Sequence, residues 1–191
     1  MSLADRWPLA DLTDLREELL SAWERPGYHD LLHLREVLDR LDQLAASGAD
    51  FERPAVDLAA WFHDAVYVGA DDDEEQSARW AERALPESYA VEVARLVRMT
   101  VEHRPEDSDA NARALSDADL AILAAPHDRY DVYVAGVRAD FAHVSDADFA
   151  AGRRAVLEDL AERPRLFRTA QAVDLWEDAA RANLARELGG R

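Results

Sequence analysis

The sequence predicts an all-α protein built as one helical bundle. Ala, Leu, Arg and Glu dominate, and apolar residues recur at steps of three and four along most of the chain, which is the period of an amphipathic helix. No stretch of strand length alternates β-branched with polar residues. The 191 residues contain no Pro/Gly/Ser-rich linker, so we expect a single domain over residues 1–191.

Two amphipathic helices are predicted in the first quarter of the chain. The first covers about Leu12–Trp23 and is closed by Pro26-Gly27. The second covers about His29–Ala46, and Gly48 follows its end as a helix-terminating glycine does. If both residues are helical, His29 and His33 lie one turn apart on a common face, and either could reach a metal.

The third predicted helix opens at Pro54 and contains the segment Leu58–Val68, LAAWFHDAVYV. This segment is apolar except for the adjacent pair His63-Asp64, and a helix that is apolar on all sides belongs in a core. A buried, ionised carboxylate requires a partner. A divalent cation that is also bound by His63 would supply one. The alternative is that the pair marks the polar edge of an amphipathic helix and that Asp64 meets an arginine.

The acidic run after this segment predicts a helix start. We expect a loop over Gly69–Asp73, a helix from Glu74-Glu75 to about Leu85, and another over about Glu87–Glu102. Acidic residues in a first turn interact favourably with the helix dipole, which accounts for the run without a catalytic role.

The tetrapeptide Ser-Asp-Ala-Asp occurs twice and resembles a helix N-terminus in both places. Ser116 would cap a helix that follows the predicted loop Arg104–Asn111, with Asp119 at the third helical position, and Ser145–Asp148 repeats the pattern. Because capping explains both copies, the tetrapeptide alone is weak evidence for chemistry. The last three helices are predicted at about Asp128–Ala142, Asp146–Glu162 and Thr169–Leu188.

Composition excludes several classes of function. The chain has no cysteine, which rules out disulfides and thiolate metal sites. Its net charge is −18, and all 22 basic residues are arginine, so general binding to nucleic acid or to acidic membranes is not expected. With neither a leader-like segment nor an apolar run of membrane-spanning length, we expect a cytoplasmic protein. A small anionic substrate is still compatible with this negative net charge, because a bound metal reverses the local charge.

The polar residues of successive helices form a plausible ligand set. A histidine of the second helix, His63 and Asp64 of the third, and a later aspartate give two imidazoles and two carboxylates, which is a neutral set for a divalent cation. A six-coordinate ion would keep two positions for water and substrate, and open positions are typical of catalysis.

The order His, His-Asp, Asp resembles the HD superfamily of metal-dependent phosphohydrolases. More closely, the chain resembles a bacterial family of predicted metal-dependent HD phosphohydrolases, and the resemblance covers most of its length. The matching stretches are YHDLLHL at Tyr28–Leu34, LAAWFHDAVY at Leu58–Tyr67, EEQSA at Glu74–Ala78, T-x-x-H at Thr100–His103, SDADLAIL at Ser116–Leu123 and ARANLAREL at Ala180–Leu188.

The resemblance implies a single-domain HD-type helical fold with four metal ligands: His33, His63, Asp64 and Asp119. Asp119-Leu120 matches the Asp-x-Leu pattern of the superfamily, and Asp117 is the alternative for the last ligand. Two positions depart from the family pattern, namely Asp73, where asparagine is expected, and Ala124, where glycine is commoner.

One of the four ligands and three further residues are candidates for additional roles beside the metal. Asp64 would also bridge to a second ion if one is bound, and His29 would orient His33 or the attacking water. Glu75 is a candidate general base, against the simpler interpretation of a surface residue in a first helical turn. His103 could bind a second metal or phosphate, or could be a helix-terminal histidine that faces solvent.

The function that the resemblance implies is hydrolysis of a small phosphoester, such as a nucleotide, by metal-activated water. Manganese, iron, nickel, magnesium and zinc all fit a ligand set of two nitrogens and two oxygens. Two alternatives stay open: a di-iron HD-type oxygenase, and a metal-holding regulatory or interaction domain without turnover. Oligomeric state is not predicted.

Overall fold

The computed structural model describes residues 2–70 and 72–190, and within them it is all-helical, as predicted. The helices are α1 (Thr13–Trp23), α2 (Leu31–Ala46), α3 (Arg53–Phe62), α4 (Asp73–Ala84), α5 (Glu87–Met99), α6 (Ala110–Leu120), α7 (His127–Asp140), α8 (Asp146–Glu162) and α9 (Ala170–Leu188). Two short 3-10 helices cover Ala4–Arg6 and Ala121–Ala124. Among the described residues, no helix combines the length and the apolar character needed to cross a membrane.

Helix α3 is the centre of the bundle. Every residue from Ala55 to Phe62 is buried, and α3 packs against α2, α4, α5 and α6. Trp61 is held from two sides, since Trp7 meets its ring edge-on and the indole N–H of Trp23 donates to its carbonyl at 2.9 Å. The all-round apolar pattern of this segment therefore predicted its position correctly.

Helix α3 is shorter than predicted. It ends at Phe62, and the chain turns immediately afterwards. The backbone N–H groups of Val68, Gly69 and Ala70 donate to the carboxylate of Asp73 instead of continuing a helical ladder. The Asp64 side chain thus projects from a turn and not from a helix. Asp71, which belongs to the predicted acidic loop, lies outside the described residues.

Helix α2 also begins later than predicted. Asp30 is its N-cap, and its carboxylate accepts hydrogen bonds from the backbone N–H groups of Leu32 and His33. His29 consequently precedes the helix, so the predicted start of α2 at His29 is wrong and the two histidines do not share a helical face.

The two Ser-Asp-Ala-Asp copies have different roles. Ser145 caps α8 and accepts from the N–H of Asp148 at 3.2 Å, as predicted. Ser116 is buried in the middle of α6, which begins six residues earlier with Asp109 as its cap, so the predicted helix start at Ser116 is wrong. Because Asp109 already starts the helix, the first copy, Ser116–Asp119, does not cap a helix and places its aspartates in the interior of the bundle.

Helix α9 fixes the end of α6 through a buried amide. It packs on the 3-10 helix Ala121–Ala124, and the side-chain amide of Asn183 donates to the carbonyls of Leu123 and Ala125 at 2.8 and 2.9 Å. Two carbonyls that cannot bond within a helix are satisfied in this way. The segment that follows Asp119 is therefore anchored.

Two helical glycines provide a matched test of this packing. A Cβ at Gly136 of α7 would lie 3.0–3.1 Å from the backbone and Cβ of Tyr28, whereas one at Gly152 of α8 would meet nothing within 4 Å. We expect Gly136→Ala to lower the free energy of unfolding by about 1–3 kcal/mol through overpacking. Gly152→Ala should raise it by about 0.5–1 kcal/mol through helix propensity. Urea unfolding of both variants checks the pair, and equal stabilisation by both would contradict the close approach of α7 to Tyr28.

Candidate metal centre

His63 is fixed at the end of α3 with one ring nitrogen directed into the protein interior. Its Nδ1–H donates to the carbonyl of Ala60 at 2.8 Å, which leaves the lone pair of Nε2 available. Nε2 faces the Nε2 of His33 at 3.2 Å, and both imidazoles are buried. Two imidazole nitrogens that converge in this way need a shared proton or a cation between them.

Two carboxylates adjoin this pair of imidazoles. Asp64 Oδ2 lies 3.2 Å from His63 Nε2 and 3.5 Å from His33 Nε2. Asp119 Oδ1 lies 3.1 Å from His33 Nε2 and 3.6 Å from His63 Nε2. The structure thus brings together the four side chains that the resemblance names as ligands, from α2, the turn after α3 and the end of α6.

The donor atoms have separations that fit a divalent cation. Two ligands at right angles around an ion, with bonds of about 2.1 Å, lie roughly 3 Å apart. The donor atoms of His33, His63 and Asp64 all lie within 4.8 Å of one another, and Asp119 adjoins both imidazoles at 3.1 and 3.6 Å. Two neutral imidazoles and two carboxylates match the preference of divalent first-row metals.

The cluster requires positive charge. Burial disfavours the charged imidazolium of His63, but the carboxylates of Asp64 and Asp119 outweigh that cost and raise its pKa well above its usual range. Burial also opposes ionisation of the two aspartates, and the surrounding histidines nevertheless hold both aspartate pKa values well below their usual range. Both carboxylates are therefore ionised at neutral pH, and protons or a cation must balance them.

His29 lies beside this cluster in a fixed orientation. Its Nδ1 bonds to Asp140 Oδ2 at 2.7 Å, its ring stacks on Tyr67 with centroids 3.9 Å apart, and its Nε2 lies 4.0 Å from Asp64 Oδ2. The predicted position of His29 next to the metal ligands agrees with this geometry. Nothing in the sequence pattern singled out Asp140, which lies at the end of α7.

The approach of Asp140 depends on a glycine. Gly27 has φ +110°, and a Cβ there would fall 1.5 Å from Asp140 Oδ1. Asp140 also accepts from the backbone N–H of Tyr28 at 3.2 Å. The Pro26-Gly27 pair was interpreted as the end of α1, and its second role, giving Asp140 access to His29, could not be predicted from local sequence.

His103 adjoins the cluster on the side of Asp119. Its Nε2 lies 3.2 Å from Asp119 Oδ2, and its Nδ1 bonds to Ser116 Oγ at 3.1 Å. The residue has φ +49°, a left-handed conformation that is uncommon for a residue with a side chain. The structure therefore places His103 next to the predicted ligands and not in solvent.

Glu75 does not reach the cluster, so its predicted role as general base is not supported. Its carboxylate binds Arg98 and Arg79 on the surface, and the hydrogen bond from Arg98 lowers its pKa to about 2. Burial raises the pKa of the preceding residue, Glu74, and the carboxylate of Asp64 raises it further. Glu74 is thus the member of the acidic pair whose charge interacts with Asp64.

Asp117 is excluded as the last ligand. It is fully buried, and its carboxylate accepts hydrogen bonds from the N–H groups of Arg168 and Thr169 and from the Thr169 hydroxyl, each at 2.7 Å. Burial raises its pKa to about 6 in spite of these bonds. Asp117 therefore ties α6 to the start of α9.

Arg25 binds backbone carbonyl groups next to the site, and this role was not predicted from the sequence. Its guanidinium donates to the carbonyls of Asp64, Ala65 and His29, and it lies over the rings of Trp23 and Tyr67. One side chain thus joins the turn that carries Asp64 to the segment that carries His29. The sequence offered no signal for this role, because arginines are spread over the whole chain.

Comparison with protein-family models, with curated proteins and with solved structures finds no match to this chain.

Proposed function

We propose that the protein is a metal-dependent phosphohydrolase of the HD type. The observation that carries the proposal is the convergence of His33, His63, Asp64 and Asp119 on one buried point, next to an open cavity whose wall includes Asp119. A cation held there would polarise a phosphoryl oxygen and lower the pKa of a bound water. The resemblance of the motif order to the HD superfamily supports the same reaction class.

Residues of this chain supply the groups that the reaction needs around the cation. His29 donates through Nδ1 to Asp140, which leaves Nε2 as a proton acceptor on the side of Asp64. A histidine oriented by a carboxylate in this way is suited to take a proton from an attacking water. His103, next to Asp119, is placed to donate a hydrogen bond to a phosphate oxygen.

The test is metal content together with phosphate release. Purified protein should contain at least one first-row metal ion per chain by mass spectrometry, and manganese or nickel should activate phosphate release from a panel of small phosphoesters. Bound metal without turnover on the whole panel would instead favour a regulatory or interaction domain. Absence of any stoichiometric metal would overturn the proposal.

A di-iron oxygenase is the second candidate, because two further imidazoles flank the ligand carboxylates. His103 lies 3.2 Å from an oxygen of Asp119, and His29 lies 4.0 Å from an oxygen of Asp64. Two irons per chain and substrate-dependent oxygen consumption would favour this reading. One ion per chain with phosphate release favours the hydrolase.

A further inference from the structure

A large cavity lies beside the candidate metal cluster and reaches it at Asp119. It has a volume of about 550 Å³, it begins at His29, His103 and Asp119, and it extends between α7, α8 and the 3-10 helix Ala121–Ala124. This volume lies within the range of roughly 300–1,000 Å³ that is usual for small-molecule sites. Whatever group is attached to a phosphate at the cluster would enter this space.

The walls of the cavity beyond the cluster are mainly apolar. They are formed largely by Ile122, Leu123, Val137, Phe149, Val156 and Leu160. Val156 is 55% exposed, although it lies in a wall of this cavity. Apolar surface that remains open in the free protein is stabilised when an apolar ligand covers it.

The two charged side chains in the wall beyond the cluster, Arg153 and Asp148, already have hydrogen-bond partners. The guanidinium of Arg153 binds the carboxylate of Glu187 and the hydroxyl of Tyr133 at 3.1 and 2.8 Å. The carboxylate of Asp148 bonds to Ser145 at the start of α8. A ribose or a nucleobase in the cavity would give up its hydrogen bonds to water and find few replacements, which is unfavourable.

We propose that this cavity receives an apolar organic group, so that the substrates are phosphomonoesters of aliphatic or aromatic alcohols and not nucleotides or sugar phosphates. The inference rests on the proposed function and defines its substrate class. In the reaction, water attacks phosphorus, the bond from phosphorus to the alcohol oxygen breaks, and that oxygen takes up a proton. The products are inorganic phosphate and an apolar alcohol.

The test is a series of unbranched alkyl phosphates from ethyl to octyl, with a nucleoside monophosphate for comparison, in the presence of manganese. These alcohols differ little in acidity, so the series changes burial and not leaving-group chemistry. We expect kcat/KM to rise about two- to fourfold for each added methylene until the cavity is filled. The nucleoside monophosphate should be a poorer substrate than hexyl phosphate.

Gly152 allows the cavity to be filled from within. It is an exposed residue of the cavity wall, and a Cβ at this position meets nothing within 4 Å, so the Cβ of a leucine can be added there without a clash. We expect this variant to lower the octyl-to-ethyl ratio of kcat/KM at least tenfold. The matched control is Ala151→Leu, which adds a leucine side chain at the exposed neighbouring position and should leave the ratio unchanged.

Binding of non-hydrolysable alkyl phosphonates, measured by calorimetry on metal-loaded protein, separates this inference from the proposed function. Phosphate release that does not depend on chain length, or that is greatest for the nucleotide, overturns the inference and leaves the hydrolase standing. Binding that tightens with chain length and weakens in Gly152→Leu, without any phosphate release, overturns the hydrolase and retains the apolar ligand class. If neither phosphate release nor binding that depends on chain length is observed, both the hydrolase proposal and the apolar ligand class are overturned.

Discussion

Replacement of Asp64 by asparagine is expected to lower the affinity for a divalent metal at least 100-fold and phosphate release by about three orders of magnitude. The change preserves the shape of the side chain and removes its charge. It therefore leaves two imidazoles and one carboxylate, a set with a net charge one unit more positive. Because a first-row cation derives much of its binding from anionic oxygen, the loss falls on metal occupancy and hence on rate.

The measurement is metal content per chain after dialysis, followed by phosphate release with added manganese. Asp119→Asn removes the second carboxylate from a different helix and should reproduce both losses, which protects the result against a local folding defect in one variant. Asp128→Asn, an exposed aspartate in the first turn of α7, is the matched control and should keep wild-type metal content. Equal metal content in wild type and both site variants would show that the ions bind elsewhere.

Helical periodicity was sufficient to predict the fold class and the position of most helices, because burial of one face is a local property of the sequence. Helix α8 has the predicted bounds, and α1 and α9 differ from theirs by a single residue at the N-terminus. The errors arose where a side chain elsewhere replaces the helical hydrogen bonds. Asp73 binds the backbone N–H groups of Val68, Gly69 and Ala70 in the segment after α3, and Asp109 starts α6 earlier than the repeated tetrapeptide suggested.

Residues of the site could be predicted where a polar or charged side chain occurs within an apolar segment of the sequence. A His-Asp pair in an apolar segment signals a site, because an uncompensated buried charge is costly. Glu74 and Glu75 could not be told apart from the sequence, since both are acidic residues in the same first turn, yet Asp64 affects the pKa of Glu74 while Glu75 binds arginines. Arg25 and Asp140 act through contacts between distant segments, and no local pattern marks them.

The second large expected effect is an increase in the free energy of unfolding when a metal binds. A metal at the cluster would connect α2, the turn after α3 and α6, and only the folded chain brings these donors together. Ligand present at 100 times its dissociation constant adds about 2.7 kcal/mol to the free energy of unfolding. For a domain of this size, that corresponds to a rise in Tm of about 5–10 °C.

Thermal unfolding with a chelator and with manganese measures this effect. The metal-free protein should still unfold cooperatively, because the core around α3 consists of Trp23, Trp61 and their apolar neighbours and does not depend on the cluster. In Asp64→Asn the rise in Tm should disappear, while Asp128→Asn should retain it. A manganese-dependent rise of equal size in Asp64→Asn would place the stabilising ion outside the cluster, since the variant lacks a charge that the bound ion requires.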